Sequence, residues 1–516
     1  MAGLPLFVHC TVIGAGLGGL TAGALLSKAG HQVHVLEAHD RPGGCASTFM
    51  RHGVTIEATL HEIDGLDPHD PKKKIFQALD VFRNIDFLQT DSFYRFVDST
   101  RDIDIVLPHG KERYVKALTD TFPDEAHGIR KFVNTVLTAR QQMTQWPLVV
   151  SPALSDYILS PVRLRTVLRY YRSTVGEVLD KFIDSDACKL ALTANLGYYH
   201  DDPYELSFPF FAAAQGSFIQ GGSYYIRGGS QSLSDHLVDV IQSTAGSIEY
   251  NRRAVDILVD AGSVSAVRHI NSTQHKNPMT TDTDAVIANT AIPNVASNLL
   301  SDPYASKLSS QIAGFDLAPS LSTLYLIFEP ALDVLGHSQY STKITSNISS
   351  YGQFADLMTG SYADRPLNFT DYSQVDANLA PDNRSVGSVA FIDSYHNWTG
   401  LSDTEYQRKK DHVTDILIRR LTEVIPEIDD AILYSELATP LTIENYTRNP
   451  SGTTYGFAQY PDQSTFSREF DSPVDGLEFG SAWTNPGGGF TGAILGGASA
   501  ASNLSSRVDQ LLISQT

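Results

Sequence analysis

The sequence predicts an α/β fold in which a discontinuous parallel-sheet domain is joined to an α+β domain. Three observations carry this expectation. Residues 7–16, FVHCTVIGAG, read as a buried strand that runs into glycines and then a helix. At the far end, residues 480–501, GSAWTNPGGGFTGAILGGASAA, again set glycines before a run of small, helix-compatible residues. Midway, residues 221–242 read as a glycine-led helix, SIEYNRRAVDILVDAGSVSAVRHI as a strand pair, and TDAVIANTAI (283–292) as a return strand.

In the first unit, Gly14, Gly16 and Gly19 give the spacing G-x-G-x-x-G. Leu17, Leu20, Ala24 and Leu25 then recur at helical spacing, and Gly30 closes the helix. HQVHVLEA, residues 31–38, is a second strand with Glu37 near its tip. In such a Rossmann-like unit Gly14 makes the tight turn, Gly16 lets the backbone approach a pyrophosphate, and Gly19 lets helix and strand pack closely. The free N–H groups and positive end of the helix hold the anion. Glu37 accepts from ribose hydroxyls and repels a 2′-phosphate. The unit suits NAD or FAD alike.

Arg41, Pro42, Gly43 and Gly44 follow directly. With them, residues 11–48 resemble the N-terminal signature of the flavin amine oxidase and phytoene desaturase superfamily: GxGxxGG, an acid, then RxGG. The second glycine cluster, Gly487, Gly489 and Gly492, satisfies the same spacing, but only 24 residues follow Gly492 and no β-branched strand precedes Asp509. A second dinucleotide unit is therefore excluded. GLEFGSAWTNPGGGFTGAILGG, from Gly476, resembles instead the family's C-terminal flavin motif GLYLAG-x-x-THPGGG-x-x-G. In relatives the helix that follows points its N-terminus at the pyrimidine edge of the isoalloxazine, which gathers negative charge on reduction. The resemblance implies FAD, held at the N-terminal end by Gly14, Gly16, Leu17, Gly18, Gly19, Glu37 and Ala38. Arg41, Gly43, Gly44, Cys45 and Ala46 continue the site. Val255 and Asn289 come from the middle block, and Gly480, Asn485, Gly489, Phe490, Thr491 and Gly492 from the last.

The FAD-binding domain is thus expected from 5–75, 220–300 and 470–516, and a substrate domain from 76–219 and 301–469. The first insert has helical spacing and long apolar side chains. The second has strand-like runs at 321–330 and 385–395 and a helix over 403–425.

Past RPGG, CASTFMRHGVTIEATLHEIDGL resembles the carotenoid isomerase and retinol saturase branch, as does ELATPLTIENYTRNPSGTTYGFA from Glu436. Two departures stand out: Glu57, Ala58 and Thr59 replace the usual Asp-x-Gly, and Asn485 replaces a histidine. The branch implies an FAD-dependent oxidoreductase or isomerase that saturates, desaturates or isomerises double bonds of a long apolar polyene or isoprenoid, with hydride passing at flavin N5. Electrons would come from or go to a separate partner, or none would be consumed. His61, Glu62 and Asp64 are the acid–base candidates, since proton transfer at carbon needs a group titrating near neutrality; a plain polar turn explains the same residues. Tyr455 is a candidate tunnel residue. Three other readings stay open. One is a fatty-acid double-bond isomerase. Another is a flavin amine oxidase that releases peroxide. The last is a flavin-free prenyl-protein carrier resembling Rab GDP-dissociation inhibitor, against which the intact glycines speak.

The bulk numbers bound partners. The chain has 516 residues, 42% hydrophobic and 19% charged, with a net charge of −20. That suits an ordinary globular protein and argues against nucleic acid, which needs a basic surface. Cys10, Cys45 and Cys188 are scattered and odd in number, so neither a disulfide framework nor a cysteine metal site is expected, and a reducing, cytoplasmic compartment is. No basic n-region marks a secretory signal. PVRLRTVLRYYR, 161–172, has four arginines and no acid. Leu164, Val167, Leu168, Tyr171 and Val175 share one helical face there, and Arg165, Arg169 and Arg172 another. Such a helix suits peripheral contact with a membrane or ordinary packing on its own domain.

Overall fold

Five parallel strands form the sheet on which the first domain is built. In spatial order they are Gly246–Glu249, Gln32–Leu36, His9–Ile13, Ala285–Ala288 and Leu477–Phe479. The central strand pairs Cys10 with Val33 on one side and with Ala285 on the other. Val12, Val35, Val286 and Ile287 are fully buried, as expected for strands covered on both faces. The opening helix, Leu17–Lys28, packs against the helix Gln231–Gln242 and against the closing helix, Gly489–Ile513. A three-stranded antiparallel sheet, Arg252–Asp260, Ser263–Asn271 and Met279–Asp282, lies beside them. The computed structural model describes residues 8–144, 162–200, 202–244, 246–274, 276–345, 348, 350–358, 360–381, 383–464 and 470–513.

A seven-stranded mixed sheet builds the second domain. Its order is Ile432–Ala438, Ser320–Phe328, Ser385–Asp393, Leu367–Asp371, Ser341–Thr345, Tyr94–Asp98 and Ile103–Leu107. Only the pair Ser341–Thr345 and Tyr94–Asp98 is parallel. Along Ser320–Phe328, alternate residues serve two cores. Leu324, Leu326 and Phe328 meet Val413, Leu417 and Leu421 of the helix Asp403–Thr422, while Tyr325 and Ile327 face the core of the first domain. That helix starts on a reciprocal capping box between Ser402 and Glu405. A helical layer including Ala126–Thr144 and Phe208–Gly221 has its own apolar core.

Two features differ from the sequence expectation. The first insert contributes more than helices: Tyr94–Asp98 and Ile103–Leu107 join the large sheet because Tyr94 and Phe96 bury on one face of an alternating run. And the basic stretch does not form one helix reaching Val175. A helix runs only from Arg165 to Tyr170, because Thr174 caps a separate helix, Val175–Leu179, in a capping box with Glu177. Val167 and Tyr170 are buried, whereas Leu168 is 51% exposed and Val162 76%. Pro161 lies outside the described residues.

A cavity between two glycine-led helices

The strand His9–Ile13 delivers the chain to Gly14, whose φ of +95° suits glycine alone. A Cβ there would lie 2.5 Å from the Asn289 carbonyl oxygen. Gly14 N–H donates to Leu36 O (2.8 Å), Gly43 N–H to Ala15 O (2.7 Å), and Asn289 Nδ2 to Gly14 O (3.1 Å). These bonds clamp the turn between Gln32–Leu36, the Gly43–Gly44 turn and the Ala285–Ala288 strand. The opening helix starts at Gly16 with no side-chain cap and no acid in its first turn. Its N-terminal N–H groups therefore keep their capacity for an anion. Glu37 is buried, and its carboxylate accepts from Ala15 N–H (2.6 Å) and His39 N–H (2.8 Å), leaving lone pairs for further donors.

Gly487, Gly488 and Gly489, all at positive φ, lead into the closing helix. The two helices touch backbone to backbone. A Cβ on Gly18 would lie 2.2 Å from Gly480 O, and one on Gly497 would lie 2.1 Å from Gly18 O. So the first turn of the opening helix is fixed against the third turn of the closing helix and against the strand end that precedes it.

A cavity of about 2430 Å³ runs past both helix starts and into the space beside the large sheet. Ligand pockets are commonly about 300–1,000 Å³, so it has room for a cofactor and a second molecule. Of the residues expected around FAD, Gly14, Gly16, Leu17, Glu37, Ala38, Gly43, Gly44, Cys45, Ala46, Val255 and Asn289 line it. So do Asn485, Gly489, Phe490, Thr491 and Gly492. Gly18, Gly19 and Gly480 sit behind the wall, where they permit close backbone packing. Arg41 is exposed beside Asp40 (3.3 Å) and does not reach the wall. Arg252, Arg253 and Arg448, which the sequence reading passed over, line the Glu37 end and bring positive charge to it.

His61, Glu62 and Asp64 also line the cavity, and their environments differ. Burial, reinforced by Lys343, pushes the His61 imidazole down to about 3, so it is neutral. Its Nδ1 pairs with Asn368 Nδ2 at 2.9 Å. Burial alone would raise Asp64, but the buried Lys72 ammonium at 3.4 Å overrides that and holds it ionised. Asp70 flanks the same ammonium at 2.8 Å, and the Thr491 hydroxyl donates to Asp64. Asp64 thus ties the start of the closing helix to the 61–72 loop. Burial raises Glu62, against the pull of Lys343. Lys343, Tyr198 and Asn368 complete a polar cluster that carried no sequence motif. Lys343 Nζ donates to Asn368 Oδ1 (2.7 Å) and Tyr198 OH (2.9 Å), and burial lowers its ammonium to about 7. A lysine inside STKIT, a strand buried at every residue, gives no periodic or spacing signal.

The sequence profile of a family described as "Flavin containing amine oxidoreductase" matches residues 17–505. An all-trans-retinol 13,14-reductase of Danio rerio is 24% identical over 490 residues, covering 88% of this chain and 78% of that protein. A chloroplastic prolycopene isomerase of Daucus carota is 24% identical over 496 residues, covering 90% and 75%. Among solved structures, an oxidoreductase from Methanosarcina mazei superposes with a TM-score of 0.63 at 17% identity, covering 95% of this chain and 99% of that one. A putrescine oxidase bound to putrescine gives 0.64 at 13% identity, covering 97% and 100%. These structures share the fold.

Proposed function

Because the chain belongs to the flavin-containing amine oxidoreductase family, and is an FAD-dependent enzyme of that family, we propose that its substrate is a long apolar polyene or isoprenoid whose carbon–carbon double bonds it saturates, desaturates or isomerises. The observation that carries this reading is the single cavity that begins at the nucleotide-type glycine turn and continues beside the large sheet. The retinol reductase and prolycopene isomerase likenesses support it.

The residues on the cavity wall suit FAD. Gly14, Gly16, Leu17 and the uncapped opening helix would hold the diphosphate, Glu37 the ribose, and the first turn of the closing helix the flavin head. Bound there, FAD supplies hydride transfer. The chain's own part is to exclude water, to hold the reacting bond in place, and to manage one proton. Among the three acid–base candidates, Asp64 is locked in its ion pair and His61 stays neutral. Glu62, whose proton affinity burial raises, is the one of the three suited to hold and pass on a proton.

In this reading 5–75, 220–300 and 470–516 hold the cofactor, and 76–219 and 301–469 enclose the substrate. The apolar substrate enters from a lipid surface near 162–172. Exposed Val162 and Leu168 stand among Arg163, Arg165, Arg169 and Arg172 there, and Leu164, Val167, Leu168 and Tyr171 line the cavity's near end. No helix among the described residues is long and apolar enough to cross a membrane. Free cysteines at positions 10, 45 and 188 agree with a cytoplasmic compartment.

The test is to load the purified protein with FAD and incubate it with polyenes, oxidised and reduced, under anaerobic conditions. A product with two hydrogens gained, two lost, or a changed double-bond geometry is the expected result. Peroxide release with amines, and inert polyenes, would overturn the reading. Leu168→Asp is expected to weaken flotation with anionic vesicles several-fold without changing the flavin spectrum.

A further inference from the structure

The ion cluster around Lys72 carries a net charge, and the cavity wall presents it at the start of the closing helix. Lys72 is fully buried between two carboxylates, Asp70 at 2.8 Å and Asp64 at 3.4 Å. Asp70 accepts from Leu66 N–H, Lys72 N–H and Lys72 Nζ, each at 2.8 Å. Asp64 accepts from the Ser217 and Thr491 hydroxyls. Both groups are acceptors throughout, as ionised carboxylates are. One ammonium between two carboxylates leaves one negative charge in excess. On the same loop and wall, Arg140 is matched by Asp67, and Lys343 by Glu62. Lys73 and Lys74, half-buried and exposed, are screened by water.

The excess charge is delivered to one place. The closing helix has no acid in its own first turn, yet Thr491, in that turn, donates to Asp64. Asp64 lines the cavity with its side chain 15% exposed, whereas the side chains of Asp70 and Lys72 are closed off. On the functional reading above, which sets the flavin head at this turn, we propose that Asp64 lowers the reduction potential of the bound flavin. The positive end of the helix favours the negative charge that the flavin gathers on reduction. A carboxylate at the same point opposes it, and in a buried site that repulsion is weakly screened. The reduced flavin is then a stronger hydride donor to carbon. Asp64 acts through its charge and takes no proton: burial alone would raise it, but the Lys72 ammonium overrides that and holds it ionised.

The experiment measures the two-electron midpoint potential of the FAD-loaded protein at one neutral pH, by anaerobic equilibration with reference dyes. Asp64→Asn removes the charge and keeps an acceptor for Thr491. It is expected to raise the ratio of reduced to oxidised flavin, at a fixed applied potential, about tenfold to a hundredfold, a shift of about 30–60 mV. Thr491→Val removes the tie but keeps the charge, and is expected to change that ratio less than about threefold. A role in holding the helix alone would move both variants alike. Asp70→Asn removes an equal charge without removing the Thr491 bond, and is expected to raise the ratio at least about threefold. The flavin spectrum and the melting temperature report that each variant is loaded and folded. An Asp64→Asn protein at or below the parent potential overturns the proposal, as does a Thr491→Val shift equal to that of Asp64→Asn. If Asp64→Asn retains no flavin, Asp70→Asn decides, and an unchanged potential there overturns the proposal. A protein that shows the shifts but transforms no polyene would fault the functional reading and leave the tuning role standing.

Discussion

Gly16 and Gly19 belong to one motif but face different obstacles. A Cβ on Gly19 would lie 2.2 Å from the backbone oxygen of Gly14, which cannot move without opening the turn. On Gly16 it would meet the Asn289 side-chain nitrogen at 2.9 Å, the end of a side chain that can swing aside. Gly16→Val is therefore expected to fold with a near-parent melting temperature and to lose bound flavin, whereas Gly19→Val loses both. Absorbance of the flavin after gel filtration, read beside the melting curve, separates the two. Asp64→Asn leaves the fully buried Lys72 with one carboxylate instead of two, Asp70 at 2.8 Å, and a loss of about 1.5–3 kcal/mol in unfolding free energy is expected, the worth of a hydrogen bond to a charged group. Single residues were unequally legible in the sequence. Gly14 and Glu37 sit in a motif whose spacing is dictated by a strand–turn–helix. Lys343 and Tyr198 come from separate inserts, and only the folded sheet brings them beside Glu62.

The opening and closing helices meet through glycines on both sides, and this contact lies behind the cavity wall. Gly497→Val would push them apart, and overpacking of this kind typically costs about 1–3 kcal/mol. The same change is expected to weaken FAD binding although Gly497 does not line the cavity, because it displaces the start of one helix relative to the other. Titration of the apoprotein with FAD checks this, and an unchanged affinity would count against the coupling. Elements with local signals were legible: the Ser402–Glu405 box marks where the helix Asp403–Thr422 starts. The basic helix ends early because Thr174 and Glu177 form a second capping box that starts a new helix, a local signal that the continuous amphipathic pattern masks. The strand Tyr94–Asp98 is obscured because the partner that ties it to the large sheet, Ser341–Thr345, lies hundreds of residues away, and Ile103–Leu107 joins the sheet only through it.

At the scale of the whole molecule, buried titratable groups pull stability in opposite directions with pH. His61 and His337 are pushed down by burial to about 3 and about 4. Their contribution is present above the ordinary value of 6.5 and is lost as pH falls. Glu57 and Asp371 are pushed up by burial, each to about 7. Their contribution is present at low pH and is lost as pH rises from their ordinary values of 4.5 and 3.8 towards 7. Between about pH 4.5 and 6.5 the two pairs offset one another. Asp371→Asn removes one falling contribution. Relative to the parent, its unfolding free energy is expected to rise with pH by about 1.4 kcal/mol per unit across that window, as read by denaturant titration.

The strand Leu477–Phe479 is the edge member of the parallel sheet, and the helix after it supplies one wall of the cavity. A nascent polypeptide still tethered to the ribosome before Gly476 would lack that wall, however well its earlier portions had collapsed. Acquisition of the yellow colour is thus deferred until translation has passed this strand, and the edge position lets the late arrival dock laterally without threading.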